Sequence, residues 1–174
     1  MNQPGQVPGV VLRTQHLFDG VADRGPGIVE VADGVIIRLR PDESGAPDDV
    51  DAGTPGSAEV IDLGAQVLSP GLVDVHCHGG GGASFGTDPR TALNLHRAHG
   101  TTSTVASLVS QSLPELERQV RALVPLVRAD ELAGIHLEGP WLAPGRKGAH
   151  PAEMLRPPTR VDVARLLDAG QGSV

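Results

Sequence analysis

The chain has 174 residues, 14 basic and 21 acidic side chains for a net charge of −7, and a hydrophobic share of 39%. That share supports a buried core and excludes wholesale disorder. Three aromatic residues (Phe18, Phe85, Trp141) and no basic block exclude stacking platforms for nucleic acid and a cationic face for anionic membranes, and the lone Cys77 excludes an internal disulfide.

The N-terminus MNQPGQVPGVVLRT has neither the basic region nor the apolar run of a signal peptide. No apolar stretch approaches the roughly 20 residues of a membrane helix, so the sequence reads as cytoplasmic. Val10–Leu12 opens a first strand. Ile28–Leu39 holds two β-rich runs around Asp33-Gly34, a hairpin signal because glycine accepts the positive φ that such a turn needs. Residues 41–59 carry Asp42, Glu43, Asp48, Asp49, Asp51 and Glu59 without a basic residue, so the acidity belongs to one solvated loop. Glu59–Leu63 resumes an extended pattern. Residues 1–66 thus read as part of a small β domain.

The pattern changes at Val67, where apolar extended runs begin to alternate with helical ones. Val67–His76 predicts a strand broken early by Pro70-Gly71. Pro89–His99 predicts a helix with Asp88 at its N-cap and Gly100 as its stop. Thr102–Val109 is a β-branched strand. Ser112 and Glu115 fit a capping box, and Leu116, Val120, Leu123 and Val127 share one helical face, with Pro125 expected to kink or shorten the end. Leu132–Leu137 is a third strand. Thr159 and Asp162 cap a third helix that ends by Gly170. Strand and helix alternate three times over residues 67–174, which argues for a parallel α/β sheet or barrel.

The chemistry concentrates at strand ends. His76 and His78, at i and i+2, share a face and converge on one point while Cys77 turns away. Neutral imidazoles suit zinc and similar divalent ions, and strand C-termini are where α/β folds build sites. Glu138 follows the third strand as a further ligand candidate, and His136, two residues before it, is a supporting cleft residue. Cys77 reads as a small buried hydrophobe, and His16 and His96 as surface residues. Gly79–Gly82 match no phosphate-loop pattern and read as a flexible approach to the metal. Lys147, the only lysine, begins a polar loop through His150.

These residues carry a resemblance. VIDLGAQVLSPGLVDVHCHG resembles the opening of the amidohydrolase superfamily, whose first barrel strand ends in His-x-His. HGTTSTVASLVS, GIHLEGPWL and RKGAHP together resemble the N-acetylglucosamine-6-phosphate deacetylase family. The resemblance implies an α/β fold: the N-terminal part of a metal-dependent (β/α)8 barrel, about three βα units, preceded by part of a small β-sandwich domain. It implies that His76, His78 and Glu138 are metal ligands, that Ala149 and His150 contact substrate, and that one or two divalent ions, zinc first among them, serve as cofactor. The implied reaction removes acetate from N-acetylglucosamine 6-phosphate, using water whose pKa the metal lowers toward ~7. The implied partner is a small amino-sugar phosphate, and the implied full-length state a homodimer.

In that family two further metal-binding histidines, the catalytic aspartate and most phosphate contacts follow the third βα unit. A (β/α)8 barrel takes ~250 residues, and roughly 100 follow the β segment here. No catalytic residue is therefore assigned within the chain, which is expected to be inactive alone. Two other readings stand beside this one: an amidohydrolase of a cyclic amide or nucleobase, and a non-catalytic remnant that needs a partner chain.

Overall fold

The computed structural model describes residues 9–42 and 58–174. Most of the acidic stretch 41–59 lies outside the described residues. The chain divides into two units, Met1–Pro70 and Gly71–Val174. No helix among the described residues is long and apolar enough to cross a membrane.

The first unit is built on β1 (Val10–Thr14), β2 (His16–Leu17), β3 (Gly27–Ala32), β4 (Val35–Pro41), β5 (Glu59–Asp62) and β6 (Val67–Leu68). Four of these form a sheet in the order β4-β3-β1-β5, antiparallel except for the parallel β1–β5 pair. The predicted hairpin is present: Asp33 and Gly34 take φ of 51° and 74° between β3 and β4, the paired positive values of a type I′ turn. Val11 and Ile28 form the small core, and buried Arg13 pairs with Asp42 at 2.6 Å. Buried Glu30 is matched across the sheet by Arg40 at 3.4 Å and Arg38 at 3.8 Å, as a buried carboxylate requires. Val67 and Leu68 pair with β2, so the predicted Val67–His76 strand serves two sheets. The break falls at Pro70-Gly71, because proline has no N–H to continue a ladder.

The second unit runs β7 (Leu72–Cys77), the glycine ribbon β8 (Gly79–Gly80) and β9 (Ala83–Ser84), α1 (Pro89–Ala98), β10 (Thr101–Leu108), α2 (Leu113–Arg128), β11 (Gly134–Leu137) and α3 (Arg160–Gly170). The main strands form a parallel sheet in the order β11-β10-β7. Each strand leads into a helix, so all three strand C-termini lie along one edge. Asp88 caps α1 by accepting the Thr91 N–H at 3.2 Å, and Thr159 caps α3 by accepting the Asp162 N–H at 3.1 Å. The core lies between the sheet and the helices, with Phe85, Leu93, Leu116, Val120, Leu123 and Leu166 almost fully buried.

Two local expectations are corrected. Ser112 makes no side-chain cap, because Glu115 turns instead to Arg118 and Gln119. Two charge-assisted bonds to Arg118 and an amide bond to Gln119 outcompete the single reciprocal bond of a capping box. Pro125 also does not shorten α2, which runs on to Arg128. The proline forfeits one intrahelical bond, while its buried neighbours Val124 and Leu126 hold the last turn against the core.

Leu116 has no exposed surface and sits at the centre of this core. Leu116→Ala is expected to lower stability by about 2–5 kcal/mol, read as a reduced urea midpoint at unchanged slope. A loss below about 0.5 kcal/mol would show that the packing around α2 is not as described.

Candidate metal centre

The parallel register sets the site. The Glu138 N–H donates to the Leu108 carbonyl at 3.0 Å, which holds the first residue after β11 level with the end of β10. The His78 Nδ1 lies 3.0 Å from the carbonyl oxygen of Ser107 on β10. A carbonyl only accepts, so Nδ1 carries the proton and Nε2 presents its lone pair. That is the tautomer a metal ligand needs, fixed by a backbone partner.

The His78 Nε2 lies 3.2 Å from His76 Nε2 and 3.1 Å from Glu138 Oε2, and His76 Nε2 lies 3.8 Å from the same oxygen. Bonds of about 2.1 Å at tetrahedral angles space ligand atoms about 3.4 Å apart, and the three separations bracket that value. The donor set of two imidazole nitrogens and one carboxylate oxygen fits a divalent ion of the zinc class, and three ligands leave a coordination position open. Both histidine side chains are roughly half exposed, so water reaches the group.

The other expected residues surround it. The His136 ring stands edge-on to His76 with centroids 5.2 Å apart, and its Nδ1 is 3.1 Å from the Ser107 hydroxyl. A cleft of about 490 Å³ opens beside the group, lined by His78, Glu138, Arg146, Lys147, Ala149 and His150 among others. Exposed Ala149 sits on its rim. The His150 Nδ1 accepts the Ser110 N–H at 3.2 Å and lies 2.8 Å from the Ser110 hydroxyl. A backbone N–H only donates, so the His150 proton sits on Nε2, which is 3.4 Å from Glu138 Oε1. His150 is therefore a hydrogen-bond donor toward the cleft.

Cys77 is buried in the core on the opposite face of β7, and burial pushes its thiol above the ordinary value. The Thr91 hydroxyl and N–H hold the Asp88 carboxyl below its usual range, consistent with a cap. His16 is exposed, as expected. His96 corrects the expectation: it is half-buried, with Nε2 3.1 Å from Cys77 Sγ, because α1 packs the imidazole against the glycine ribbon. Ser107 and Ser110 were not singled out in the sequence. The available signal was a serine at and just beyond the end of a strand between two histidine-bearing strands.

No family model matches the chain. N-acetylglucosamine-6-phosphate deacetylase of Bacillus subtilis is 36% identical over 114 residues, covering 59% of this chain and 29% of the relative. N-acetylgalactosamine-6-phosphate deacetylase of Escherichia coli O157:H7 is 27% identical over 169 residues, covering 92% of this chain and 41% of the relative. Among solved structures, N-acetyl-D-glucosamine-6-phosphate deacetylase of Mycobacterium smegmatis, a point mutant in complex with N-acetyl-D-glucosamine-6-phosphate, superposes with a TM-score of 0.80 at 41% identity. It covers 95% of this chain and 42% of that one. The chain is similar to part of the N-acetylglucosamine-6-phosphate deacetylases. It spans between about a quarter and two fifths of the length of the relatives it matches. Those relatives are hydrolases of an acetamide, and the sequence motifs resemble the same family.

The tautomer of His150 is directly measurable. Long-range nitrogen–proton NMR correlation at neutral pH is expected to show the proton on Nε2 and an acceptor Nδ1. A proton on Nδ1 would contradict the Ser110 contact.

Proposed function

We propose that this chain contributes the first part of the active site of a metal-dependent deacetylase acting on N-acetylglucosamine 6-phosphate. The observation that carries the reading is the meeting of His76, His78 and Glu138 at the C-terminal edge of a parallel sheet, beside a cleft that holds His150. In this reading residues 67–174 are three βα units of a (β/α)8 barrel, and residues 1–66 part of its companion β domain. The full-length protein is a cytoplasmic homodimer.

His76, His78 and Glu138 would hold a divalent ion, zinc first among the candidates, as one of the one or two ions the family resemblance implies. Bound there, such an ion would supply an acidified water and a Lewis acid for the amide. Ser107 keeps His78 in the ligating tautomer and steadies His136 behind His76. His150 donates from Nε2 to an oxygen of the bound substrate, and Ala149 shapes the rim of the cleft. Arg146 and Lys147 place two cations on the cleft wall, which suits an anionic sugar phosphate. The acetyl C–N bond breaks as the acyl carbon takes the oxygen of water. Acetate leaves, and the proton released reaches the sugar nitrogen through a carboxylate. That carboxylate comes from sequence after the third βα unit, so the 174 residues alone bind the ion without turning over substrate.

A second reading keeps the chemistry and changes the sugar. The Escherichia coli relative named for N-acetylgalactosamine 6-phosphate aligns over 92% of the chain, further than the Bacillus subtilis relative. The two substrates differ in the orientation of one hydroxyl.

A chimera tests both readings, with these residues replacing the matching segment of the Mycobacterium smegmatis enzyme. Zinc-loaded, it is expected to deacetylate N-acetylglucosamine 6-phosphate, while the 174-residue chain releases no acetate. Glu138→Gln in the chimera is expected to cut the rate by roughly 100-fold or more, since even partners outside the ligand shell are worth 10–100-fold. Preference for the galacto substrate would favour the second reading. Hydrolysis of a dihydropyrimidine without either amino sugar would overturn both.

A further inference from the structure

The strand that presents His76 and His78 on one side carries another donor cluster on the other. Asp74, Cys77 and His96 place one ligand atom each within 4.8 Å of one another. Asp74 and Cys77 are three apart on β7, and in a regular strand they would face opposite ways. The register prevents this: Thr104 pairs with Asp74 and Ala106 with Cys77, so two residues of β10 span three of β7. The extra residue is a bulge, and it turns Asp74 and Cys77 onto one face toward α1. From α1, the His96 Nε2 lies 3.1 Å from Cys77 Sγ and 3.1 Å from the Gly79 carbonyl oxygen, which is itself 3.5 Å from Sγ. Cys77 is 7% exposed and His96 half-buried.

We propose that Asp74, Cys77, His96 and the Gly79 carbonyl form a second cation site, for a thiophilic divalent ion of the zinc class. Four potential donors gather there: the Asp74 carboxylate, the Cys77 sulfur and the His96 imidazole within 4.8 Å of one another, and the Gly79 carbonyl 3.1 Å from the imidazole. A cation accepts lone pairs from all four at once. With bonds of about 2.3 Å to sulfur and about 2.0 Å to nitrogen, a tetrahedral sulfur–nitrogen pair sits about 3.5 Å apart, against 3.1 Å between Cys77 Sγ and His96 Nε2 here. Soft sulfur selects zinc, cobalt or cadmium over magnesium or calcium. The flanking backbone is bare: a Cβ at Gly80 would lie 2.9 Å from His96 Nε2. On binding, the Cys77 thiol gives its proton to solvent and the sulfur bonds the ion. The site stands apart from the proposed deacetylase chemistry, because its sulfur ligand distinguishes it from the His76, His78 and Glu138 group.

Cobalt(II) added to the 174-residue chain reads the two groups separately. A thiolate-to-cobalt charge-transfer band in the near ultraviolet is expected to saturate at one ion per chain. It should survive the double substitution His76→Ala, His78→Ala, and disappear in Cys77→Ser. His96→Ala should weaken the binding that produces it by roughly tenfold or more. Visible cobalt absorption without the sulfur band would overturn the proposal, as would loss of that band in the His76, His78 variant. The unsubstituted chain gives a check that needs no variant, since Cys77 is its only cysteine. Zinc at ten times its dissociation constant should slow alkylation of Cys77 about tenfold, as 1 + [L]/Kd requires. An unchanged alkylation rate would overturn the site.

Discussion

Ser107 joins the two halves of the candidate centre. Its carbonyl accepts the His78 Nδ1–H from one neighbouring strand, and its hydroxyl meets His136 Nδ1 from the other. It is almost fully buried, so neither contact competes with bulk water. The serine can do this only because β7, β10 and β11 run parallel and end level. Sliding one strand by a residue would swap its faces and send either His78 or Glu138 away from the group. The backbone bond from Glu138 to Leu108 and the packed core beneath therefore set the ligand spacing as much as the ligands do.

This dependence explains what could be read from sequence. The convergence of His76 and His78 follows from strand periodicity, and needs no knowledge of a neighbour. The Asp33-Gly34 turn and the caps at Asp88 and Thr159 are local in the same sense, and each appears where the pattern puts it. The bulge between Asp74 and Cys77 is different. It exists only relative to β10, so nothing in LVDVHC announces it, and His96 reads as a surface residue until α1 is docked. The capping box at Ser112 fails for a related reason: Glu115 has a better partner one turn on, in Arg118. Its carboxyl is held down to about 2, first by the hydrogen bond from Arg118 and then by Gln119.

The two units differ in how far their own contacts carry them. In the second, helices cover one face of the sheet and bury a continuous core. β7 keeps Leu72, Val73 and Val75 exposed among the described residues, and β4 of the first unit likewise exposes Val35, Ile36, Ile37 and Leu39. Apolar strand faces of this kind mark surfaces that a partner element covers. More than half the length of each relative lies outside its match to this chain.

The contrast across β7 bears on what each face is suited to do. On the His76 face, three ligand atoms stand beside an open cleft with half-exposed imidazoles, so an ion there keeps a position for water or substrate. On the Cys77 face, Asp74, Cys77 and His96 bring ligand atoms within 4.8 Å of one another beside the Gly79 carbonyl, at the edge of the core. Structural zinc sites are closed and sulfur-bearing, whereas catalytic ones keep a position free. The same six-residue strand thus offers an exchangeable, reactive geometry to solvent and a saturated one to the core. An ion on the core side would tie β7 to α1 and the glycine ribbon directly behind His76 and His78, and so stiffen the strand whose end must hold the reactive pair in place.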